Sequence, residues 1–216
     1  MRLLGLLLAV LLLIPAPAPA ADCIVLEDFS KAAPGELPAG WKLRKDSGKG
    51  VYAVREEGGR RYLAAVSEGI GIQAAREITW DVAAYPVLAW AWRLKEPPRG
   101  SDERQSKTND SALAVYAVWP HSSVSVKSLK YIWSAVVPKG TPLTSSAGLT
   151  QVTVLRTGSA PRGEWVEERV DVARDFRARF KDDEVPKPAG ISVLTDADDT
   201  KSRAAGDYAN FRACRS

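Results

Sequence analysis

Short apolar stretches recur along the whole chain, and glycine, proline or small polar residues separate them. The segment VLAWAWRL at 87–94 alternates strictly, which is typical of a β-strand with one buried face. One face carries large apolar side chains and the other carries small ones and an arginine: Leu88, Trp90, Trp92 and Leu94 against Ala89, Ala91 and Arg93. We expect the tryptophan face to be core, because Trp has a large area to bury. The alternative is that the two tryptophans form a platform for a sugar.

The spacing of these stretches predicts an all-β fold. Many short strands with frequent turns are typical of an antiparallel β-sandwich of the jelly-roll type. One segment departs from the two-residue period, since Val172, Phe176 and Phe180 lie four residues apart, and it predicts a short amphipathic helix. The expected strands are 24–29, 51–54, 62–66, 70–74, 87–94, 112–119, 129–136, 151–156, 165–170, 191–194 and 208–213.

The N-terminal 20 residues have the pattern of an export signal. Arg2 precedes an apolar run over 3–14, and Ala18-Pro19-Ala20 supplies small residues at a cleavage site. The run is too short to span a bilayer, and no later run is longer. We therefore expect a signal peptide over 1–20, a single β-sandwich domain over 21–216, no transmembrane segment, and a periplasmic or secreted protein.

The charge balance argues against a nucleic-acid partner. The chain has 30 Lys and Arg residues against 26 Asp and Glu residues, a net charge of +4, and the two signs are interleaved. No basic stretch with interleaved aromatic residues occurs. We expect no nucleic-acid binding, and we leave the oligomeric state open.

The two cysteines, Cys23 and Cys214, lie at opposite ends of the chain that follows the signal. An exported protein favours a disulfide between them, which requires the two ends to lie side by side. Closing so long a loop stabilises the fold by about 5 kcal/mol in the chain-entropy model. The alternative is a lipoprotein acylated at Cys23, although Asp22 occupies the position where a small residue is usual.

The stretch ISVLTDADDT at 191–200 ends an apolar run with Asp196, Asp198 and Thr200. This D-x-D-x-T pattern also begins the nucleophile loop of haloacid dehalogenase-like phosphatases and the EF-hand calcium loop. The phosphatase interpretation needs a doubly wound α/β domain, for which the crossover helices are missing. The EF-hand interpretation needs glycine at the sixth position, where Lys201 stands. We expect a binding loop at one end of the sandwich instead.

A second acidic loop carries Asp102, Glu103 and Asp110, and we expect it to lie beside the first. Tyr131 or Trp133 should then supply an aromatic face, and a cation or an arginine should offset the clustered negative charge. Calcium is the candidate ion at Asp196 and Asp198, and no other cofactor is expected. The predicted ligand-binding residues are Asp102, Glu103, Asp110, Tyr131, Trp133, Arg156, Asp196, Asp198 and Thr200.

Arg156 in VTVLRTG shares a strand side with Val152 and Val154, so its charge needs a partner. Glu168 in EWVEERV is the expected partner. Nucleophilic catalysis has little support, because His121 is the only histidine and stands in a turn. We predict no catalytic residue.

An ordered set of motifs resembles a bacterial exported family known as domain of unknown function 3047. The motifs are EDFS, LPAGW, YPVLAWAWRL, SDERQSKTNDSALAVYAVW, LKYIWS, VTVLRTG, EWVEERVDVARDF, ISVLTDADDT and YANF, and they span nearly the whole exported chain. The family's aspartate pair is Asn109-Asp110 here, and its D-x-D-N-T is Asp196 to Thr200 with Asp199 in place of asparagine. The resemblance implies no activity, and the strand order is similar to that of jelly-roll carbohydrate-binding modules.

These observations favour an exported, non-catalytic protein that binds a glycan or another small polar ligand. Two other classes stay open. One is a carbohydrate-active hydrolase or lyase that uses the loop carboxylates, since two carboxyl groups suffice for glycoside hydrolysis. The other is a structural envelope protein with no small ligand.

Overall fold

The computed structural model describes residues 22–216, and the predicted signal peptide lies outside them. Thirteen strands and one α-helix are present in this part of the chain, with short 3-10 turns at Asp46–Gly48 and Ser146–Gly148. The strands are β1 Cys23–Glu27, β2 Trp41–Leu43, β3 Tyr52–Glu57, β4 Arg60–Glu68, β5 Gly71–Glu77, β6 Val87–Glu96, β7 Leu113–Pro120, β8 Val126–Ser134, β9 Pro142–Ser145, β10 Thr150–Thr157, β11 Val166–Asp171, β12 Gly190–Asp196 and β13 Arg203–Cys214. The helix, α1, is Val172–Phe180.

The strands form two sheets, as an all-β sandwich requires. The six-stranded sheet has the order β11-β6-β13-β4-β3, and β1 pairs with the second half of β13. The seven-stranded sheet has the order β2-β5-β12-β7-β8-β10-β9. All pairings are antiparallel except β8 with β10, which are parallel. The prediction of a jelly-roll-like antiparallel sandwich with one helix is confirmed, with this one parallel pair as an addition.

The core lies between the two sheets, and tryptophans are among its largest side chains. Trp90 and Trp92 of β6 pack on Tyr131 and Trp133 of β8, with ring centroids 5.8 Å apart in each pair. All four side chains are fully buried. The prediction that the tryptophan face of 87–94 is core is therefore confirmed, and the alternative of a sugar platform there is excluded by this burial.

Helix α1 closes one end of the core. Asp171 caps its N-terminus by accepting a hydrogen bond from the backbone N–H of Arg174 at 2.8 Å. Phe176 is buried and lies 4.8 Å from Trp119, measured between ring centroids. The helix ends at Lys181, whose φ of +57° lies in the left-handed region. None of the helices in residues 22–216 has the length and apolar character that a membrane crossing requires.

The predicted disulfide is present. Cys23 of β1 and Cys214 of β13 are register partners in adjacent antiparallel strands, and their sulfur atoms are bonded. The two ends of the described chain therefore lie side by side. A disulfide is typical of an oxidising compartment, which fits an exported protein.

Candidate functional site

The two acidic loops meet at one end of the seven-stranded sheet. Asp196 is the last residue of β12, and its backbone N–H donates to the carbonyl of Ser111. The Asp110 carboxylate accepts hydrogen bonds from the backbone N–H of Asp199 at 3.2 Å and of Thr200 at 2.8 Å. It also accepts one from the Thr200 hydroxyl at 2.5 Å. The Asp110 carboxylate therefore fixes the position of the 196–200 loop, and the Thr200 hydroxyl is one of the groups that it binds.

Three carboxylates converge at this junction. Asp110, Asp196 and Asp198 each offer an oxygen atom, and these atoms all lie within 4.8 Å of one another. Asp196 is buried, with 8% of its surface exposed. Burial raises the pKa of Asp196 to about 8, and the neighbouring Asp198 side chain adds to this rise. We call these three residues the acidic cluster.

The absence of a side chain at Gly71 leaves room for the acidic cluster beside two paired strands. Gly71 of β5 is the register partner of Asp196 in β12. A Cβ atom at position 71 would overlap Oδ1 of Asp196 and would lie 3.2 Å from Cγ of Asp198. Only glycine leaves the space that the two carboxyl groups occupy.

Lys130 of β8 supplies a positive charge near the acidic cluster. Its side chain is buried, and its Nζ lies 5.7 Å from the centre of the Tyr116 ring. Burial alone would lower the pKa of Lys130, but the Tyr116 hydroxyl and the Asp196 carboxyl raise it above its ordinary value. Lys130 also reduces the rise in the pKa of Asp196. A positive charge therefore lies within electrostatic reach of the acidic cluster.

The outer face of the seven-stranded sheet is a groove with a volume of about 510 Å³. Gly71 lines it, so the acidic cluster lies at its rim. The groove's floor and walls are formed by polar and apolar residues from six strands and three connecting segments. They include Arg44, Gln73, Tyr116, Val118, Val124, Val126, Ser128, Lys130, Ser146, Leu149, Ser192 and Leu194.

Two predicted binding residues are not available to a ligand. Tyr131 and Trp133 are each only 1% exposed and belong to the core. The Tyr131 hydroxyl donates to Asp175 at 2.9 Å, and the Trp133 indole N–H donates to the Gly158 carbonyl at 2.8 Å. The prediction of an aromatic binding face at these residues is wrong, because alternation along β8 turns them inward. Their neighbour Lys130 faces the groove instead.

Arg156 forms the predicted ion pair, but away from the acidic cluster. Its Nε lies 2.5 Å from Oε1 of Glu168, and its guanidinium lies 5.9 Å from the centre of the Trp133 ring. A β-bulge between Val154 and Arg156 breaks the alternation. Val154 belongs to a separate apolar cluster, so the prediction that Arg156 shares its side is wrong. A role for Arg156 in the same binding site is not supported by these contacts.

The remaining predicted residues have partners in their own surroundings. Asp102 is held by Arg104 of its own loop at 2.7 Å, and this contact lowers the pKa of Asp102 to about 2. Glu103 is buried and accepts hydrogen bonds from Ser111 at 2.8 Å and Ser134 at 2.5 Å. Glu103 also lines a smaller cavity beside Lys130. The second acidic loop therefore contributes Asp110 to the cluster. The carboxyl groups of Asp102 and Glu103 instead contact other side chains of the protein.

The topology excludes the two motif-based interpretations of the 196–200 loop. β12 lies between β5 and β7 and is antiparallel to both. A doubly wound phosphatase domain instead has a parallel sheet at its nucleophile strand. The segment after the loop is strand β13, whereas an EF-hand needs a helix there.

Sequence reasoning missed most of the groove. Tyr116, Lys130, Gln73 and Ser192 were not singled out, although they share the outer face of the seven-stranded sheet. One signal was present: Lys130 is a charged residue inside the otherwise apolar stretch LKYIW. A charge at an alternating position of a central strand indicates the face that opens to solvent or ligand.

Comparison with known proteins identifies the family to which the chain belongs. The family model described as "Protein of unknown function (DUF3047)" matches residues 39–212. The chain belongs to this family. No curated protein matches it.

Several solved structures are similar to this chain at low identity. The carbohydrate-binding module TmCBM61, solved in complex with β-1,4-galactotriose, is 8% identical with a TM-score of 0.40, covering 82% of this chain and 90% of that one. The mannan-recognising module TmCBM27 is 14% identical with a TM-score of 0.38, covering 91% and 99%. A mutant of the ENZbleach xylanase is 11% identical with a TM-score of 0.37, covering 91% and 86%. None of these similarities bears on the ligand.

Proposed function

We propose that this member of the DUF3047 family is an exported, non-catalytic binding protein whose groove takes a glycan or another polar ligand. The observation that carries the proposal is the groove on the outer face of the seven-stranded sheet, with its volume of about 510 Å³. Small-molecule sites typically enclose roughly 300–1,000 Å³ and combine apolar walls with a few polar groups. The size and the lining of this groove fit that description.

The chemistry of the groove suits a ligand with many hydroxyl groups. Lys130 and Arg44 are hydrogen-bond donors, and the Gln73 amide can both donate and accept. The Gln73 amide already donates to the Ser192 hydroxyl at 2.6 Å, which fixes its direction. Val124 and Val126 are exposed on the adjoining hairpin and offer apolar contact for the C–H faces of a sugar ring.

A glycan-binding measurement tests this proposal. The purified protein is screened against neutral and uronic-acid-containing oligosaccharides, and hits are titrated by isothermal calorimetry. We expect the combined substitution Arg44→Ala and Gln73→Ala to weaken binding at least about tenfold, because it removes two polar contacts of about 1 kcal/mol each. Both side chains are exposed or half-buried, so the variant should fold.

The matched control is Arg55→Ala, an exposed arginine of β3 on the other sheet. It should bind like the wild type. The glycan proposal is abandoned if no oligosaccharide binds to the folded protein. The assignment to the groove is abandoned if the groove variant and the control bind equally well.

A carbohydrate-active hydrolase or lyase is the second candidate, and the buried carboxyl of Asp196 favours it. A pKa of about 8 keeps a proton on Asp196 at neutral pH beside the Asp198 carboxyl group. Glycoside hydrolases use a pair of carboxyl groups of which one is kept protonated. Release of reducing or unsaturated ends from a bound oligosaccharide, lost in Asp196→Asn, would establish this activity and reject the non-catalytic assignment.

A further inference from the structure

Among residues 22–216, the buried acids follow one pattern, with a single exception. Glu27 binds Arg76 and the Trp41 indole, and Asp207 binds Arg93 at 2.7 Å. Glu103 and Asp110 accept hydrogen bonds from hydroxyl groups. Each of these acids therefore accepts a short hydrogen bond or forms an ion pair, as buried carboxylates generally do.

Asp196 is the exception. Only 8% of the surface of Asp196 is exposed. Within residues 22–216, its carboxyl accepts one long backbone hydrogen bond, from the Asp198 N–H at 3.5 Å, and otherwise faces the Asp198 carboxyl. That distance is at the limit of a hydrogen bond. In the same part of the chain, no Lys or Arg nitrogen lies within 4.0 Å of Asp110, Asp196 or Asp198 in an ion pair. The Asp196 carboxyl is thus aimed at two other acids without a compensating donor.

We propose that Asp110, Asp196 and Asp198 bind a calcium ion at the rim of the groove. Their oxygen atoms all lie within 4.8 Å of one another, and calcium–oxygen distances of about 2.3–2.6 Å let one ion reach all three. Carboxylate oxygens are ligands that calcium prefers, and calcium tolerates irregular geometry, so loop residues can serve it. The ion would bring a positive charge into direct contact with the three carboxyl groups, whereas Lys130 acts on Asp196 only from beyond ion-pair distance.

The surrounding contacts prepare the site for an ion. Asp110 is held by the backbone N–H groups of Asp199 and Thr200 and by the Thr200 hydroxyl, so its position is fixed before any ion arrives. Gly71 leaves the space in which Asp196 and Asp198 face each other. Asp198 is half-buried, which leaves a path from solvent.

Calcium binding is measured on the purified protein after EDTA treatment and dialysis, by calorimetry with CaCl₂ and no glycan present. We expect one ion per chain with a dissociation constant of about 10⁻⁴–10⁻³ M, the range of extracellular modules. Asp198→Asn should weaken binding at least about tenfold. The matched control is Asp199→Asn, an exposed acid of the same loop outside the cluster, which should bind within about twofold of the wild type.

Asp196→Asn provides an independent readout. It removes an uncompensated buried acid, so its melting temperature in EDTA should equal or exceed that of the wild type and should no longer rise with calcium. The proposal is wrong if the folded wild type takes up no calcium at about 10 mM, or if Asp196→Asn binds calcium normally. It is also wrong if Asp198→Asn and Asp199→Asn lose affinity equally, or if magnesium binds more tightly than calcium. None of these outcomes depends on whether the groove binds a glycan.

Discussion

At the scale of single residues, Gly71 controls the space of the acidic cluster. A Cβ atom at this position would overlap Oδ1 of Asp196, and burial leaves that carboxyl little freedom to turn away. We expect Gly71→Ala to displace Asp196 and to lower the free energy of unfolding by about 1–3 kcal/mol, the usual cost of overpacking. Urea denaturation followed by tryptophan fluorescence measures the change.

A double-mutant cycle separates this clash from the loss of backbone freedom at Gly71. If the Asp196 carboxyl is the obstacle, adding Asp196→Ala to Gly71→Ala should recover most of the lost stability. The two substitutions should then be non-additive, as expected for groups in contact. Additive effects would mean that the cost lies in the backbone of β5 and not in the cluster.

Local spacing in the sequence predicts only part of the acidic cluster. Asp196 and Asp198 stand two apart at a strand end, and this spacing was enough to expect their carboxyl groups on one side. The burial of Asp196 was not foreseeable, because it depends on Gly71 from a distant strand. Nor was Lys130 foreseeable as the nearby cation, because only strand pairing brings β8 to the same surface.

At the scale of elements, alternation predicts two faces of a strand but does not say which one is buried when both are apolar. Tyr131 and Trp133 share one face of β8, and Lys130 and Ile132 share the other. Tryptophans occur on the core face of both β6 and β8, so the large aromatic residues were the better guide to the inner side. The bulge before Arg156 had no sequence signal, although the Glu168 partner could be expected from the need to pair a half-buried charge.

The helix α1 offers a test at the same scale. Asp171 satisfies one of the unpaired N–H groups at the helix N-terminus, so Asp171→Ala should lower the free energy of unfolding by about 0.5–2 kcal/mol. Glu184→Ala is the control, since Glu184 is an exposed acid just beyond the helix and should change stability by less than about 0.5 kcal/mol. Chemical denaturation of both variants gives the comparison. Equal stability of the two variants would show that the cap contributes nothing.

At the scale of the whole molecule, the sandwich could be predicted because its strands are short, separated by turns and rich in alternating apolar residues. The order of strands within each sheet could not, since pairing depends on long-range contacts with no local pattern. Two short edge strands, β2 and β9, were missed because three or four residues carry too little periodicity. Strand β9 lies between β8 and β10 in sequence and pairs antiparallel with the outer edge of β10. Because the chain turns back through β9 before it enters β10, β8 and β10 run in the same direction.

The disulfide joins the two ends of the described chain, 191 residues apart in sequence. It fixes β1 against β13, the strand that also pairs with β4 and β6 in the six-stranded sheet. We expect the double variant Cys23→Ser and Cys214→Ser to lose about 2–5 kcal/mol of unfolding free energy, because its unfolded chain regains the entropy that the crosslink removes. The groove lies on the opposite sheet, so ligand binding by the folded variant should match the wild type.

Denaturation midpoints with and without a reducing agent measure the effect: reduction should shift the wild type to the midpoint of the variant and leave the variant unchanged. A wild type insensitive to reduction, with its thiols shown to be free, would contradict a stabilising role for the crosslink.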